Sequence, residues 1–210
     1  MRATLVLTAT AFLIITMGCK DPGAEVTAAK VEAPTGQGAS PATADGTTTS
    51  LAINPSNSKV EFVGAKVTAS HQGGFTDFSG EVDLGDPIER SRINITIQTA
   101  SLYADKEKLT KHLKSPDFFD VEKFPTATFQ STEINKEADG HTITGDLTLH
   151  GVTKRISFPA TIETSDSQVS ANAEFSINRK DFEINYPGMQ DDLIRDLVVI
   201  KLSLALPRQG

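Results

Sequence analysis

Apolar and polar residues alternate one for one in run after run of this chain, and that period of two restricts the fold more than any other feature. Successive strand side chains point to opposite faces, so each such run presents one apolar face. The clearest runs are 91–99 (Ile93, Ile95, Ile97), 142–149 (Ile143, Leu147, Leu149) and 152–164 (Val152, Ile156, Phe158, Ala160, Ile162). Two more follow at 168–178 (Val169, Ala171, Ala173, Phe175, Ile177) and 196–206 (Val198, Ile200, Leu202, Leu204, Leu206). Weaker ones lie at 58–69, 75–84 and 125–134, which makes eight. Turn residues fall between them at Gly73-Gly74, Gly85-Asp86-Pro87, Asp139-Gly140 and His150-Gly151,. Short connections pair sequential strands antiparallel.

Eight antiparallel strands with one apolar face each form either a two-sheet sandwich or a closed barrel. Sequential hairpins favour an all-β, eight-stranded up-and-down barrel, which leaves no open edge. Two segments break the series. Residues 105–114 have the pattern of a short helix, with Asp105 as N-cap, Lys111 and Lys114 near the C-terminal end, and Pro116 stopping it,. Residues 115–124 follow it toward one barrel mouth. Residues 179–195 read as a charged loop.

Composition excludes several functions. The formal charge is -7 over 210 residues, with no basic stripe for nucleic acid and no polybasic patch for a membrane surface,. Trp is absent, so the usual lipocalin and immunoglobulin signatures are missing,. With one Cys there is no intrachain disulfide and no four-thiolate zinc site,. No nucleophile-elbow, zinc-protease, P-loop or EF-hand pattern occurs, and His71, His112, His141 and His150 lack metal-ligand spacing,. The expectation is a protein with no catalytic residues and no metal.

Arg2 followed by an apolar stretch to Gly18 has the form of a secretory signal, and Cys19 directly after Gly18 resembles a bacterial lipoprotein processing site,. Residues 1–18 are read as the signal peptide and Cys19 as the lipidated residue. Of the 31 residues 20–50, 22 are Ala, Thr, Gly, Pro or Ser, a composition that cannot bury enough apolar surface to order itself,. Residues 19–50 are therefore read as anchor plus disordered linker, and 51–207 as the folded domain. Inner and outer membrane are not distinguished.

Two stretches, Phe118-Phe119-Asp120-Val121-Glu122-Lys123-Phe124-Pro125-Thr126-Ala127-Thr128-Phe129 and Gly145-Asp146-Leu147-Thr148-Leu149-His150-Gly151-Val152-Thr153-Lys154, resemble the central motifs of the YceI-like family. Gly74-Phe75 through Phe78-Ser79-Gly80, and Arg179 with Asp181-Phe182, resemble two further stretches of it. The resemblance implies a lipocalin-like barrel, secreted to the bacterial envelope, holding a long apolar molecule such as a polyisoprenoid or an isoprenoid quinone. Members often carry a His in the first strand, where this chain has Ala65-Lys66, and residues 183–195 also depart from the commonest form.

On residues alone, a small barrel filled by its own side chains is the better reading; the resemblance implies a cavity instead. A ten-residue strand is ~33 Å long and, tilted, gives a barrel ~25 Å tall, comparable with the ~30 Å hydrocarbon core of a bilayer. The candidate lipid-binding residues are Phe62, Phe75, Phe78, Ile95, Leu113, Phe118, Phe119, Phe129, Leu147, Phe158, Phe175 and Ile200. His71 and Arg179 are candidate head-group contacts, with an internal salt bridge from Arg179 to Asp181 or Asp191 as the competing role,. Asp146 and Thr148 alternate with Leu147 and Leu149 and point away from the apolar face. The alternative function is a filled barrel that binds a protein partner through loop 179–195.

Overall fold

The computed structural model describes residues 20–34 and 49–208. Cys19, the apolar segment before it and residues 35–48 lie outside the described residues. The protein is an all-β, curled antiparallel sheet of half-barrel form with one α-helix.

In chain order the strands are β1 (Lys30–Glu32), β2 (Thr49–Ile53), β3 (Ser58–Ala65), β4 (Ser70–Phe75), β5 (Phe78–Leu84), β6 (Arg92–Gln98) and β7 (Leu102–Ala104). After helix α1 (Glu107–Lys114) come β8 (Thr126–Glu137), β9 (Gly140–Leu149), β10 (Val152–Thr164), β11 (Gln168–Asn178), β12 (Gly188–Met189), β13 (Asp192–Leu193) and β14 (Leu197–Pro207). The main path runs β2-β5-β6-β8-β9-β10-β11-β14-β3-β4-β7, with β1 attached to β10 and β12 paired only with β13.

Fourteen strands stand where eight were expected. One cause is visible in the first hairpin. Its outgoing arm pairs in two pieces, Thr49↔Leu84 to Ile53↔Gly80 and Glu61↔Gly74 to Ala65↔Ser70. Asn54 to Asn57 on one arm and Thr76-Asp77 on the other interrupt the ladder. The remaining additions are strands of two or three residues, too short to show a period,.

Gly73-Gly74, expected as a turn, lies inside β4. A Cβ on Gly73 would collide with the Phe62 ring on β3 and with the Tyr103 carbonyl on β7, so the glycine is there for close approach,. The turn itself falls at 66–69. The start of the expected linker also departs from its composition. Asp21 caps a 3-10 turn, Pro22–Ala24, and β1 adds to the edge of β10 through Val31↔Ile156. Val31 and Ala29 pack on the core, and backbone bonds tie Thr27 and Ala29 to Ser176. Backbone pairing supplies what the low apolar content does not.

Helix α1 starts at Glu107, its N-cap one residue later than the expected Asp105. Lys106 occupies the N-cap position without a side-chain bond, because the Asp105 carboxylate turns to His71 Nδ1 at 2.9 Å. The main core gathers Ile93, Ile134, Ile143, Ile156, Val169, Leu204 and Leu206 with rings Phe78, Phe158, Phe175 and Phe182.

Candidate functional site

The sheet does not pack solid. It encloses a cavity of about 810 Å³ whose wall takes a side chain from each long strand: Phe62, Phe75, Ile95, Phe129, Leu147, Phe158, Phe175 and Ile200. The filled core favoured by composition is thus overturned. Phe62, Phe75, Phe129, Leu147 and Ile200 are only half-buried although they line the sheet's interior, and the void accounts for the uncovered area.

Hollowness has a local cause. The Phe62 ring lies over Gly73, and the Phe129 ring lies over Gly145, where a Cβ would come within 2.5 Å of it. A glycine on the neighbouring strand lets each phenyl lie along the wall instead of standing in the lumen. At the deep end the rings do close the space. Phe158 stacks on Phe175 at 4.1 Å and 12°, and Phe129 packs against Phe158 at 5.6 Å. A second void of about 30 Å³ lies behind Phe129 and Phe158.

The other end is covered by two segments. From α1 and its exit come Leu109, His112, Leu113, Phe118 and Phe119; from 184–195 come Ile184, Tyr186, Met189, Asp192, Ile194 and Arg195. An aromatic trio joins the two segments: His112–Phe118 at 5.0 Å, His112–Tyr186 at 5.1 Å and Phe118–Tyr186 at 5.2 Å. A second contact, Phe75–Phe119 at 5.9 Å, ties the cover to the wall. His112–Phe118, His112–Tyr186 and Phe75–Phe119 meet edge to face and Phe118–Tyr186 is tilted, each pair contributing ~0.5–1.5 kcal/mol beyond apolar burial,.

Every apolar candidate from the sequence lines this cavity except Phe78, which is buried in the packed core at 3% exposure. His71 lines it too, but its Nδ1 is engaged by Asp105, which fastens β4 to the approach of α1. Arg179 also borders it and is 4% exposed. Its guanidinium donates to the carbonyls of Ile184 at 2.6 Å and Arg195 at 3.1 Å, and to Asp196 at 3.3 Å. The salt-bridge partner is therefore Asp196, not Asp181 or Asp191, and the side chain's hydrogen bonds hold the 184–196 segment. Burial pushes this guanidinium below its ordinary pKa, with Asp196 opposing the shift. Asp146 pairs with Arg155 through two bonds, 2.9 and 3.0 Å, across β9 and β10, and raises the Arg155 pKa.

Tyr186, Ile184, Ile194 and Leu109 were not found from sequence. Leu109 and Leu113 share a helix face at i, i+4, which is a usable signal. Residues 184–194 have no period to read. Among the described residues, no three His, Cys, Asp or Glu side chains are grouped to hold a metal.

The profile of the YceI-like domain matches residues 51–206. The chain belongs to the YceI-like family. A UPF0312 protein of Pseudomonas putida F1 is 41% identical over 125 residues, covering 55% of this chain and 65% of the relative. A UPF0312 protein of Photorhabdus laumondii is 46% identical over 86 residues, covering 40% of this chain and 44% of that one. The match thus spans less than two-thirds of these relatives. Among solved structures, Burkholderia cenocepacia BcnA superposes with a TM-score of 0.66 at 24% identity, covering 73% of this YceI-like chain and 98% of BcnA. A Saccharophagus degradans domain described as polyisoprenoid-binding gives a TM-score of 0.62 at 15% identity, covering 77% and 99%. At these identities the likeness is one of fold.

Proposed function

We propose that this protein binds or carries a long apolar lipid, of the polyisoprenoid or isoprenoid quinone class, inside its curled sheet. The single observation that carries the reading is the cavity of about 810 Å³ with an almost wholly apolar wall. That volume falls within the ~300–1,000 Å³ of small-molecule sites. Burying ~400 Å² of tail at ~25 cal/mol/Å² gives roughly 10 kcal/mol gross, so micromolar binding survives the cost of association without any polar contact. The polyisoprenoid-binding description of the Saccharophagus degradans domain supports the same ligand class.

The sheet works in this reading as an eight-stave, lipocalin-like barrel. The pairs β14–β3, β3–β4 and β5–β6 make a ring if β4 and β5 count as one stave, since only Thr76 and Asp77 separate them. β2 and β3 form the neighbouring stave in the same way. The protein needs no chemistry of its own. It sits in the bacterial envelope facing the periplasm, held to a membrane by acyl chains on Cys19, a placement that rests on the sequence of residues 1–19,. Residues 35–48 serve as the tether.

Native mass spectrometry of the protein purified from its own membranes tests this. The expected result is a bound mass of several hundred daltons that extracts into organic solvent. An empty protein whose melting temperature does not move on adding prenols or quinones would overturn it.

A further inference from the structure

The two ends of the cavity differ in charge and in exposure, and the difference points outward to a partner. Of the residues that line it, only Lys106, Lys108 and Met189 are exposed, so the cavity meets solvent between the start of α1 and the β12–β13 hairpin. That hairpin is apolar where it should be polar. Met189 is 70% exposed and Leu193 50%, and Val67, 43% exposed, is joined to Leu193 by a backbone bond of 3.1 Å. These are three of the four large apolar side chains exposed among the described residues; the fourth, Tyr103, is on β7. Single exposed apolar residues need no explanation, but a cluster at the rim of a lipid-sized cavity does.

The charge of the cavity lining is the reverse of the chain's, with the exposed carboxylates Asp105, Glu107 and Asp191 beside its opening. The cavity lining holds Lys66, Lys106, Lys108, Arg179 and Arg195 against two carboxylates, Glu61 and Asp192, although the protein as a whole carries -7. Lys66 and Arg195 face Asp192 and Asp21, and Arg179 is buried, but Lys106 and Lys108 are exposed with no ion pair among the described residues. Lys114 follows on the same helix, while Lys111 pairs with Glu107 at 2.8 Å. These lysines lie within one stretch, 106–114, interrupted by Glu107, and they correct the expectation that the chain has no basic patch for a membrane surface.

We infer that the mouth is a docking surface for an anionic lipid membrane. Met189, Leu193 and Val67 enter the interfacial region, and the lysines at the start of α1 face the lipid phosphates. Apolar insertion and basic attraction are the two terms by which peripheral proteins bind such surfaces. The contact is separate from any acyl anchor at Cys19. It rests on the lipid-carrier reading for its purpose, since it would set the cavity opening against the bilayer that supplies or receives the guest.

The absence of Trp makes the test direct. The full chain carries Cys19→Ser, so that no acyl group forms there, and Met189→Trp as the reporter; a second version carries Tyr103→Trp instead. With vesicles of phosphatidylglycerol and phosphatidylcholine the Met189→Trp emission shifts to the blue, and the Tyr103→Trp emission does not. Adding Lys106→Glu and Lys108→Glu lowers vesicle partitioning at least tenfold, as does 0.5 M salt or pure phosphatidylcholine. These side chains are exposed, so an unchanged melting temperature confirms that folding is intact. No shift at Met189→Trp, equal shifts at both reporters, or partitioning indifferent to the lysines would overturn the inference. A chain that docks but holds no extractable lipid defeats the carrier reading alone, and one that holds lipid but does not dock defeats this inference alone.

Discussion

The deep end and the mouth of this one sheet are built from the same alternating strands and behave as different materials. At the deep end Phe158 and Phe175 stack face to face and the surrounding Ile93, Ile143 and Leu204 are almost fully covered. Toward the mouth Phe62 lies along the wall beside Gly73, and with Phe75 it leaves the lumen open. The lesson is that alternation decides which face is apolar, while the small residue across the strand decides whether that face closes on itself. Stability should therefore be concentrated at one end and ligand retention at the other.

The largest break in that comparison should come from Phe158→Ala. Removing a fully buried ring costs ~3–5 kcal/mol, and chemical denaturation should report a loss in that range. If lipid retention survives in the folded fraction, the site can also take a longer tail, because Phe158 separates the cavity from the small void behind it. Gly145→Val should come next. It forces the Phe129 ring inward and presses on the Gln130 carbonyl, an overpacking cost of ~1–3 kcal/mol with a smaller bound mass in native spectra,. Tyr186→Ala should invert the pattern: prenol release measured by stopped flow quickens several-fold, while the melting temperature changes by only a few degrees,. Equal losses of stability and retention in that variant would refute the division of labour.

A smaller effect is expected from Asp146→Ala, which breaks the bidentate pair with Arg155. Both side chains are partly exposed, so the cost should stay near or below ~1 kcal/mol by denaturant titration,. Smallest is the response of the hairpin to acid. Hydrogen bonds from Lys66 and then Thr68 hold the Asp192 carboxyl below its ordinary value. Its contribution is thus present above ~pH 4 and is lost as pH falls through the lower folded value. Amide exchange at residues 188–194 should accelerate there before the strands do.

Much of this was legible in the sequence. β10 and β11 run over 152–164 and 168–178, as their alternation and the tight turn between them indicate. Strand candidates such as Ile95, Leu147, Phe158, Phe175 and Ile200 line the cavity on the face their alternation assigned, whereas Leu113, Phe118 and Phe119 come from the helix and its exit. Phe78 shares that alternation but sits in the packed core, and period alone cannot distinguish depth along a strand. β1 was hidden because Val31 is its only large apolar residue and its order comes from pairing with β10. Gly73-Gly74 carries the signature of a turn and serves instead as a site of close approach. The mouth was the least legible part. Arg179 reaches carbonyls five and sixteen residues away, and the Val67–Leu193 contact joins segments far apart in the chain.

Photolabelling with a diazirine-bearing prenol, followed by peptide mapping, tests most directly whether a guest occupies the hollow end. Labels on Phe62, Phe75, Phe119 and the 184–194 segment, competed away by unlabelled prenol, are the result this account requires. Labels confined to the outer face of the strands, or none above a heat-unfolded control, would contradict it.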